Sequence, residues 1–339
     1  MYTLQPKKMV IINILDILKK YSDVDHPLTQ AEISEKLKKE YFMEVDRKTV
    51  KRNLMNLLDL DCGIEYTEIM KKDNNGEDVP ICTNWYISRE FDDSELRLLI
   101  DSLLFSKHIP HAQCMHLIEK IEGLSNVYFK SRVRHIKTMP DQYPENKELF
   151  FTIDVLDEAI SKGKKVSLVY NSYGTDKKLH PKSADPYIIN PYQMAAANGR
   201  YYLICNFDKY DDIAHLRLDR ITKIRILGSA AKPIEKTKEG AVNLPRHMAE
   251  HIYMFSGESV HAEFKAKNYI LDQVIDWFGR DIKISETDGE TSLVSVTVNK
   301  RAFFCWALQY GPHIEVTKPV EMRAELASAA LEMYEKYEA

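Results

Sequence analysis

Gly199-Arg200-Tyr201-Tyr202-Leu203-Ile204 and, one short hairpin later, Leu216-Arg217-Leu218-Asp219-Arg220-Ile221 carry the most information in this 339-residue chain. Two aromatics and a leucine occupy one predicted strand, and two arginines three apart sit at the end of the next. Neighbouring side chains of a strand point to opposite faces, so Tyr201 and Leu203 share one face while Tyr202 takes the other. Arg217 and Asp219 likewise share a face, with Arg220 opposite them as long as the strand stays regular. A flat ring beside guanidinium forks suits a phosphate-bearing or base-bearing ligand, because arginine grips phosphate bidentately and rings stack on bases. The competing reading is structural: Tyr-Tyr-Leu runs pack cores, and Arg-Leu-Asp-Arg runs build surface ion-pair ladders.

Outward from this stretch, a short helix is predicted over 151–160. Strands are predicted over 164–170, 185–189, 201–207, 215–218 and 223–227, with Lys178-Leu179-His180-Pro181 between the first two. Five short strands broken by turn residues suit an SH3-like or Sm-like β-barrel. Together these segments resemble the WYL domain, a small barrel named for a Trp/Tyr-Tyr-Leu triplet that bacterial transcription regulators use to sense ligands; the resemblance covers roughly 150–228. It implies pocket positions at Tyr170, His180, Tyr201, Leu203, Arg217 and Arg220, and single-stranded nucleic acid or a nucleotide as effector. Ala214 stands where the family often has an arginine, with His215 beside it, and His180 is the basic residue before Pro181. His215 therefore joins the ligand-binding candidates. Histidines in place of fixed charges weaken the hold on a polyanion and make binding pH-sensitive.

Ahead of the barrel, Ile11, Ile14, Leu15 and Leu18 recur at i, i+3, i+4 and i+7, which predicts a helix over 7–21. Thr29 before Gln30-Ala31-Glu32 is a capping-box start for a second helix. Asp46 caps a third helix over 47–60, with Val50, Leu54, Leu57 and Leu58 inward and Arg47, Lys48, Lys51 and Arg52 on the other face. Strands around Ile64-Glu65-Tyr66 and Trp85-Tyr86-Ile87 flank a loop with Asn74-Asn75-Gly76, and Lys71 and Lys72 stand near its tip. Three helices and a basic-tipped hairpin make a winged helix-turn-helix. The run Asp46-Arg47-Lys48-Thr49-Val50-Lys51-Arg52-Asn53-Leu54 resembles the recognition helix of the regulators that precede WYL domains. Arg47, Lys48, Thr49, Lys51, Arg52, Lys71 and Lys72 are accordingly the DNA-binding candidates, facing double-stranded operator DNA. Lys48 before Thr49 and Asn53 in place of the usual acid predict a different base preference.

Two helices are predicted over 91–125, the first capped by Asp92-Asp93-Ser94 and the second opened by Pro110. His108, His111, Cys114 and His116 cluster there and are read as surface residues, since Pro110 separates His108 from the helix. Pro140, Tyr143, Pro144 and Asn146 mark a linker. Beyond 260 the pattern reads β-α-β-β-α-β-α, which resembles the ferredoxin-like, WCX-type extension that follows WYL barrels. Its closing helix, with Leu326, Ala330 and Met333, offers a dimer surface. His247-Met248-Ala249-Glu250-His251 spells H-x-x-E-H, which leaves a metal-dependent hydrolase as one alternative function.

Hydrophobic content of 44%, charged content of 29% and a net charge of −4 describe an ordinary globular chain, long enough for two to four domains. A wholly basic nucleic-acid coat is excluded, so any DNA contact comes from local patches. Cys62, Cys82, Cys114, Cys205 and Cys305 are odd in number and lack a Cys-x-x-Cys pair, as in a reducing compartment. No stretch approaches the ~18 apolar residues of a membrane span. A cytoplasmic α+β multidomain homodimer follows as the expectation: winged helix 1–90, helical segment 91–145, WYL barrel 146–235, extension 243–339. No catalytic residue, metal or cofactor is expected. The second alternative is an RNA- or ssDNA-binding accessory protein of a defence system.

Overall fold

Ile14, Ile17 and Leu18 return to the same side of a helix every three to four residues, and α1 (Val10–Tyr21) buries all three completely. The computed structural model describes residues 6–72, 76–133, 146–238, 240, 243–286 and 288–338. The inward stripe of α1 also takes in Asn13, whose amide rests 3.2 Å from the Met43 sulfur. Thr29 closes the capping box of α2 (Gln30–Tyr41): its hydroxyl accepts the Glu32 N–H, and Glu32 accepts the Thr29 N–H at 2.7 Å. Asp46 caps α3 (Arg47–Asp59) by accepting the Thr49 N–H at 2.9 Å.

β1 (Ile64–Lys72) and β2 (Asp78–Ile87) pair antiparallel from Ile64 opposite Ile87 to Lys72 opposite Asp78. The strands run further than the sequence pattern suggests. Residues 68–72 and 78–80 are exposed, so they carry no apolar alternation, yet their backbones keep pairing. Trp85 is fully buried and bridges Leu28, which draws the α1–α2 connection onto the hairpin. Asn74 and Asn75 lie outside the described residues. α4 (Asp93–Phe105), α5 (His111–Glu122) and a third helix, α6 (Val127–Val133), follow. At seven residues α6 is too short to show an apolar period; Asn126 caps it and ties it to the turn after α1, its amide donating to the Asp23 carboxylate. Pro140, Tyr143 and Pro144 are outside the described residues.

The chain divides into two compact units, Met1–Phe105 with His111–Gln142, and Ser106–Pro110 with Tyr143–Ala339. In the second, α7 (Leu149–Ser161) precedes a curled sheet of six strands: β3 (Lys164–Tyr173), β4 (Leu179–Pro181), β5 (Tyr187–Ala197), β6 (Arg200–Phe207), β7 (Ile213–Arg217) and β8 (Ile221–Ala230). The order is β4-β3-β5-β6-β7, and β8 also pairs with β3. Six strands replace the five expected, because the segment at 179–181 joins the sheet. β5 continues past Pro191 by a register shift, since proline has no N–H to give the ladder. Asn198 and Gly199, with φ of 52° and 70°, make the tight turn into β6.

β7 stops at Arg217. Leu218–Arg220 form a 3-10 turn, so the strict alternation expected through Arg220 does not hold. Asn146 donates to the carbonyls of Asp219 and Ile221, and Asn171 donates to that of Arg220, which fixes the turn from two sides.

After α8 (Leu244–Glu250), β9 (Ser259–Lys267), α9 (Leu271–Phe278), β10 (Lys283–Glu286), β11 (Thr291–Asn299), α10 (Lys300–Gln309), β12 (Ile314–Lys318) and α11 (Val320–Glu338) complete the fold. Their sheet is antiparallel in the order β10-β11-β9-β12, closed from one side by Phe264, Phe303 and Trp306. α11 buries only Met322 among its described residues. No helix of the described residues is long and apolar enough to cross a membrane.

Candidate anion site and nucleic-acid interface

β6 and β7 set Tyr202 opposite Arg217, Leu203 opposite Leu216 and Ile204 opposite His215. Directly opposed residues share a face, so Tyr202, and not Tyr201, stands beside Arg217. Tyr201 turns to the other face, where its ring lies 5.6 Å from that of His108 and where burial, then the Asp157 carboxylate, push its pKa up. Leu203 is fully buried core. The expected grouping of Tyr201 and Leu203 with the arginines is therefore not assembled; the pleat separates them.

The face that carries Tyr202 gathers a different set. The buried Tyr170 hydroxyl accepts the Arg217 N–H at 3.2 Å. Arg217 donates from Nε to Asp219 Oδ1 at 2.9 Å and from Nη2 to Oδ2, in the bidentate fork that arginine makes with a carboxylate. Asp219 is 1% exposed. Arg200, the first residue of β6, reaches 4.0 Å from the same carboxylate without a hydrogen bond. Arg220 extends from the far end of the 3-10 turn over the Tyr173 ring at 5.9 Å, and its Nε is buried without a hydrogen-bond partner among the described residues.

Two guanidiniums thus meet one carboxylate, with that of Arg220 turned instead to the Tyr173 ring. Burial is the first cause that lowers the Arg200 pKa, and the neighbouring Arg217 charge is the second. Burial also works against the charge on Arg217, but the Asp219 hydrogen bonds outweigh it and hold that pKa up. Burial raises the pKa of both Tyr170 and Tyr202, so both hydroxyls stay protonated. Asp219 takes two of the five N–H donors of Arg217 and leaves three, along with those of Arg200. Chemically this is a partly buried, net positive fork with two tyrosines in its wall, able to hold a phosphate or carboxylate. Arg200 was legible in the sequence through alternation alone, since i and i+2 place it with Tyr202.

A model of the WYL domain matches residues 152–226, the segment holding Tyr170, Arg200, Tyr202, Arg217 and Arg220. A model of the WCX domain matches residues 258–334. The chain carries a WYL domain followed by a WCX domain. Among solved structures it is similar to proteasome accessory factor B/C (PafBC) of Arthrobacter aurescens, at 13% identity and a TM-score of 0.29, over 94% of this chain and 47% of that one. It therefore spans about half the length of that structure. A CRISPR Cas-related protein is similar at 13% identity and a TM-score of 0.40, over 98% of this chain and 85% of that one. No curated protein matches.

Two histidine candidates of the WYL domain lie apart from the arginine fork. His180 is exposed on the β3–β4 hairpin, its Nε2 held 2.9 Å from the Asp176 carboxylate. His215 turns toward His247 and His251 instead, with Nε2 2.6 Å from His247 Nε2. The H-x-x-E-H spacing does bring its two histidines together, their rings stacked 4.0 Å apart. However, Glu250 is tied to Arg246 at 2.7 Å, and His251 lies past the end of α8. Two imidazoles on one zinc at ~2.0–2.1 Å stand about 3.3 Å apart, so the 2.6 Å contact is an N–H···N hydrogen bond. Among the described residues, no group of three His, Cys, Asp or Glu side chains is arranged to hold a metal ion. Of the earlier cluster, Cys114 is buried, while His111 and His116 are exposed. His108 Nδ1 meets Ser106 Oγ at 2.9 Å, in the loop that docks on Gly199.

In the other unit, α3 buries Val50, Leu54 and Leu57 and exposes Arg47, Lys48, Lys51 and Arg52 on the opposite side. Thr49 is committed to the cap: its hydroxyl donates to Asp46 Oδ2 at 2.8 Å. Lys71 and Lys72 are exposed at the end of β1. The four basic residues of α3 stand on its first two turns, and Lys71 and Lys72 at the tip of the hairpin.

Proposed function

We propose that the chain is a DNA-binding transcriptional regulator whose WYL domain senses a nucleic-acid or nucleotide-like anion. Two arginines gathered on one buried carboxylate, beside a third whose buried Nε has no partner among the described residues, carry this reading, because a protein has little reason to leave net positive charge half-buried unless an anion completes it. The ligand-contacting residues are Arg200, Arg217, Arg220, Tyr170 and Tyr202, with Tyr201 and Leu203 holding the other face of the strand. The six-strand curled sheet is read as an Sm/SH3-like barrel, and the β10-β11-β9-β12 order as ferredoxin-like. The three helices and hairpin of the first unit are read as a winged helix-turn-helix, with Arg47, Lys48, Lys51 and Arg52 toward the major groove and Lys71 and Lys72 toward the backbone. Val320, Leu331, Met333, Tyr334 and Tyr337 are exposed on α11, an apolar face suited to a second copy in a homodimer.

Fluorescence anisotropy with a 5′-phosphorylated single-stranded oligonucleotide tests the sensor, and a gel shift with the duplex upstream of the chain's own gene tests the regulator. Arg217→Ala should weaken the oligonucleotide at least tenfold and leave duplex binding by the unliganded chain unchanged, while Arg52→Ala should do the reverse. Oligonucleotide affinity equal to wild type in folded Arg217→Ala and Arg200→Ala proteins refutes the anion site. No preference for that duplex over unrelated DNA would instead favour a single-strand-binding accessory protein.

A further inference from the structure

His215 on β7 and His247 and His251 at the end of α8 come from segments about 30 residues apart, yet their ring centroids lie only 4.0 to 5.2 Å from one another. His247 and His251 are 8% and 6% exposed. The His251 Nδ1 sits 2.9 Å from the His247 carbonyl, which can only accept, so that nitrogen carries the proton. His215 and His247 share one proton between their Nε2 atoms. The His215 Nδ1 is buried with no partner among the described residues. A second proton on that ring would bury an N–H with no acceptor, and two charged rings would face each other at hydrogen-bond distance. The His215–His247 contact is thus built for neutral imidazoles.

Of the surrounding charges, Glu250 favours a charged His247 ring, but burial and the adjacent imidazole outweigh it. On α8, Glu250 is paired with Arg246, and on the barrel side Asp212 is paired with Lys238. Glu258 stands exposed on the loop before β9, and Arg217, two residues along β7, is held by Asp219. Ile204 and Ile213 of the sheet and Met248 and Met254 from α8 and the turn after it belong to one hydrophobic cluster. A polar cleft of about 720 Å³, lined by His247 and His251, gives protons a route in.

We infer that His215 and His247, packed against His251, form a proton-operated clasp, which pins α8 and the turn after it to β7 while the His215 and His247 rings are neutral and releases them when those two rings take up protons. Burial, and then the adjacent imidazoles, push His215 down to about 3 and His247 down to about 4. In the open state both rings regain the ordinary value near 6.5. Because the closed form has the lowered values, its stability is complete above about pH 6.5 and falls as the pH drops toward 4. Each of these two histidines multiplies the opening equilibrium by about 30 between pH 7.5 and 5.0, so together they raise it by about 10³. The release acts on the strand that presents Arg217, which links acidity to the candidate anion site, though the clasp stands on its own geometry.

Hydrogen exchange of the full chain, followed by mass spectrometry and corrected for intrinsic rates, measures the opening directly. Peptides from 244–256 and 211–217 report the clasp, and those over Phe264 and Val294 serve as internal reference for global unfolding. The expected result is a wild-type rise well above 30-fold from pH 7.5 to 5.0 in the clasp peptides alone. In His247→Gln, which cannot titrate, the rise falls to about 30-fold or less. A wild-type rise of 30-fold or less, or a variant as steep as wild type, overturns the clasp. Should that variant not fold, the wild-type slope alone decides.

Discussion

Replacing Asp219 by asparagine keeps the side-chain volume and one acceptor oxygen but removes the negative charge that Arg217 and Arg200 share. Asp219 is 1% exposed, so in its absence Arg217 keeps its charge in a site that no longer balances it. Removing one partner of a buried ion pair costs about 3–5 kcal/mol. The Arg217 side chain remains 16% exposed, and water recovers part of that loss, which brings the expectation to about 3 kcal/mol. For a unit the size of 143–339, each 1 kcal/mol moves Tm by about 2–4 °C, so Asp219→Asn should unfold roughly 6–12 °C lower. The same change removes one of the two acceptors that Asp219 offers Arg217, so four of its five donors become available to a ligand. A 5′-phosphorylated oligonucleotide should therefore bind the variant more tightly than wild type and restore part of the lost Tm, through ligand linkage. Calorimetric scans with and without the oligonucleotide measure both effects. A loss below about 1 kcal/mol, or a large loss that the oligonucleotide does not reduce, would show that Asp219 does not hold the fork in balance.

Three further outcomes follow from individual contacts. Thr29→Ala removes the capping box of α2 and should lower stability by about 1 kcal/mol, read as a shift of the urea midpoint with unchanged slope. Arg52→Ala, on the exposed face of α3, should leave Tm unchanged and reduce the slope of log K against log salt for duplex binding by about 0.9; an unchanged slope would remove Arg52 from the phosphate contacts. Iodoacetamide at pH 8 should label the exposed Cys305 in the native protein while sparing Cys205, whose thiol burial pushes far up. Peptide mass spectrometry would detect the opposite order.

Local chemistry was readable along the chain, and contacts across it were not. The capping box at Thr29 and the cap at Asp46 were evident because a side chain and the N–H groups two or three residues on are fixed by covalent geometry. The exposed basic side of α3 followed from the helical period in the same way. The WYL resemblance lay in a run of consecutive residues and was matched over 152–226.

Which residues meet was decided elsewhere. A strand tells which side chains share a face but not what stands opposite, and the β6–β7 register placed Arg217 beside Tyr202 instead of Tyr201. The 3-10 turn at 218–220, held by Asn146 from far upstream, ended an alternation that the sequence alone would have continued. His215 left the expected pocket because α8, some thirty residues later, folds back onto β7 and brings two more imidazoles against it. Short-range bonding is written into neighbouring residues, whereas register and the return of distant segments depend on how the whole hydrophobic interior closes, so only the tertiary structure could assign them.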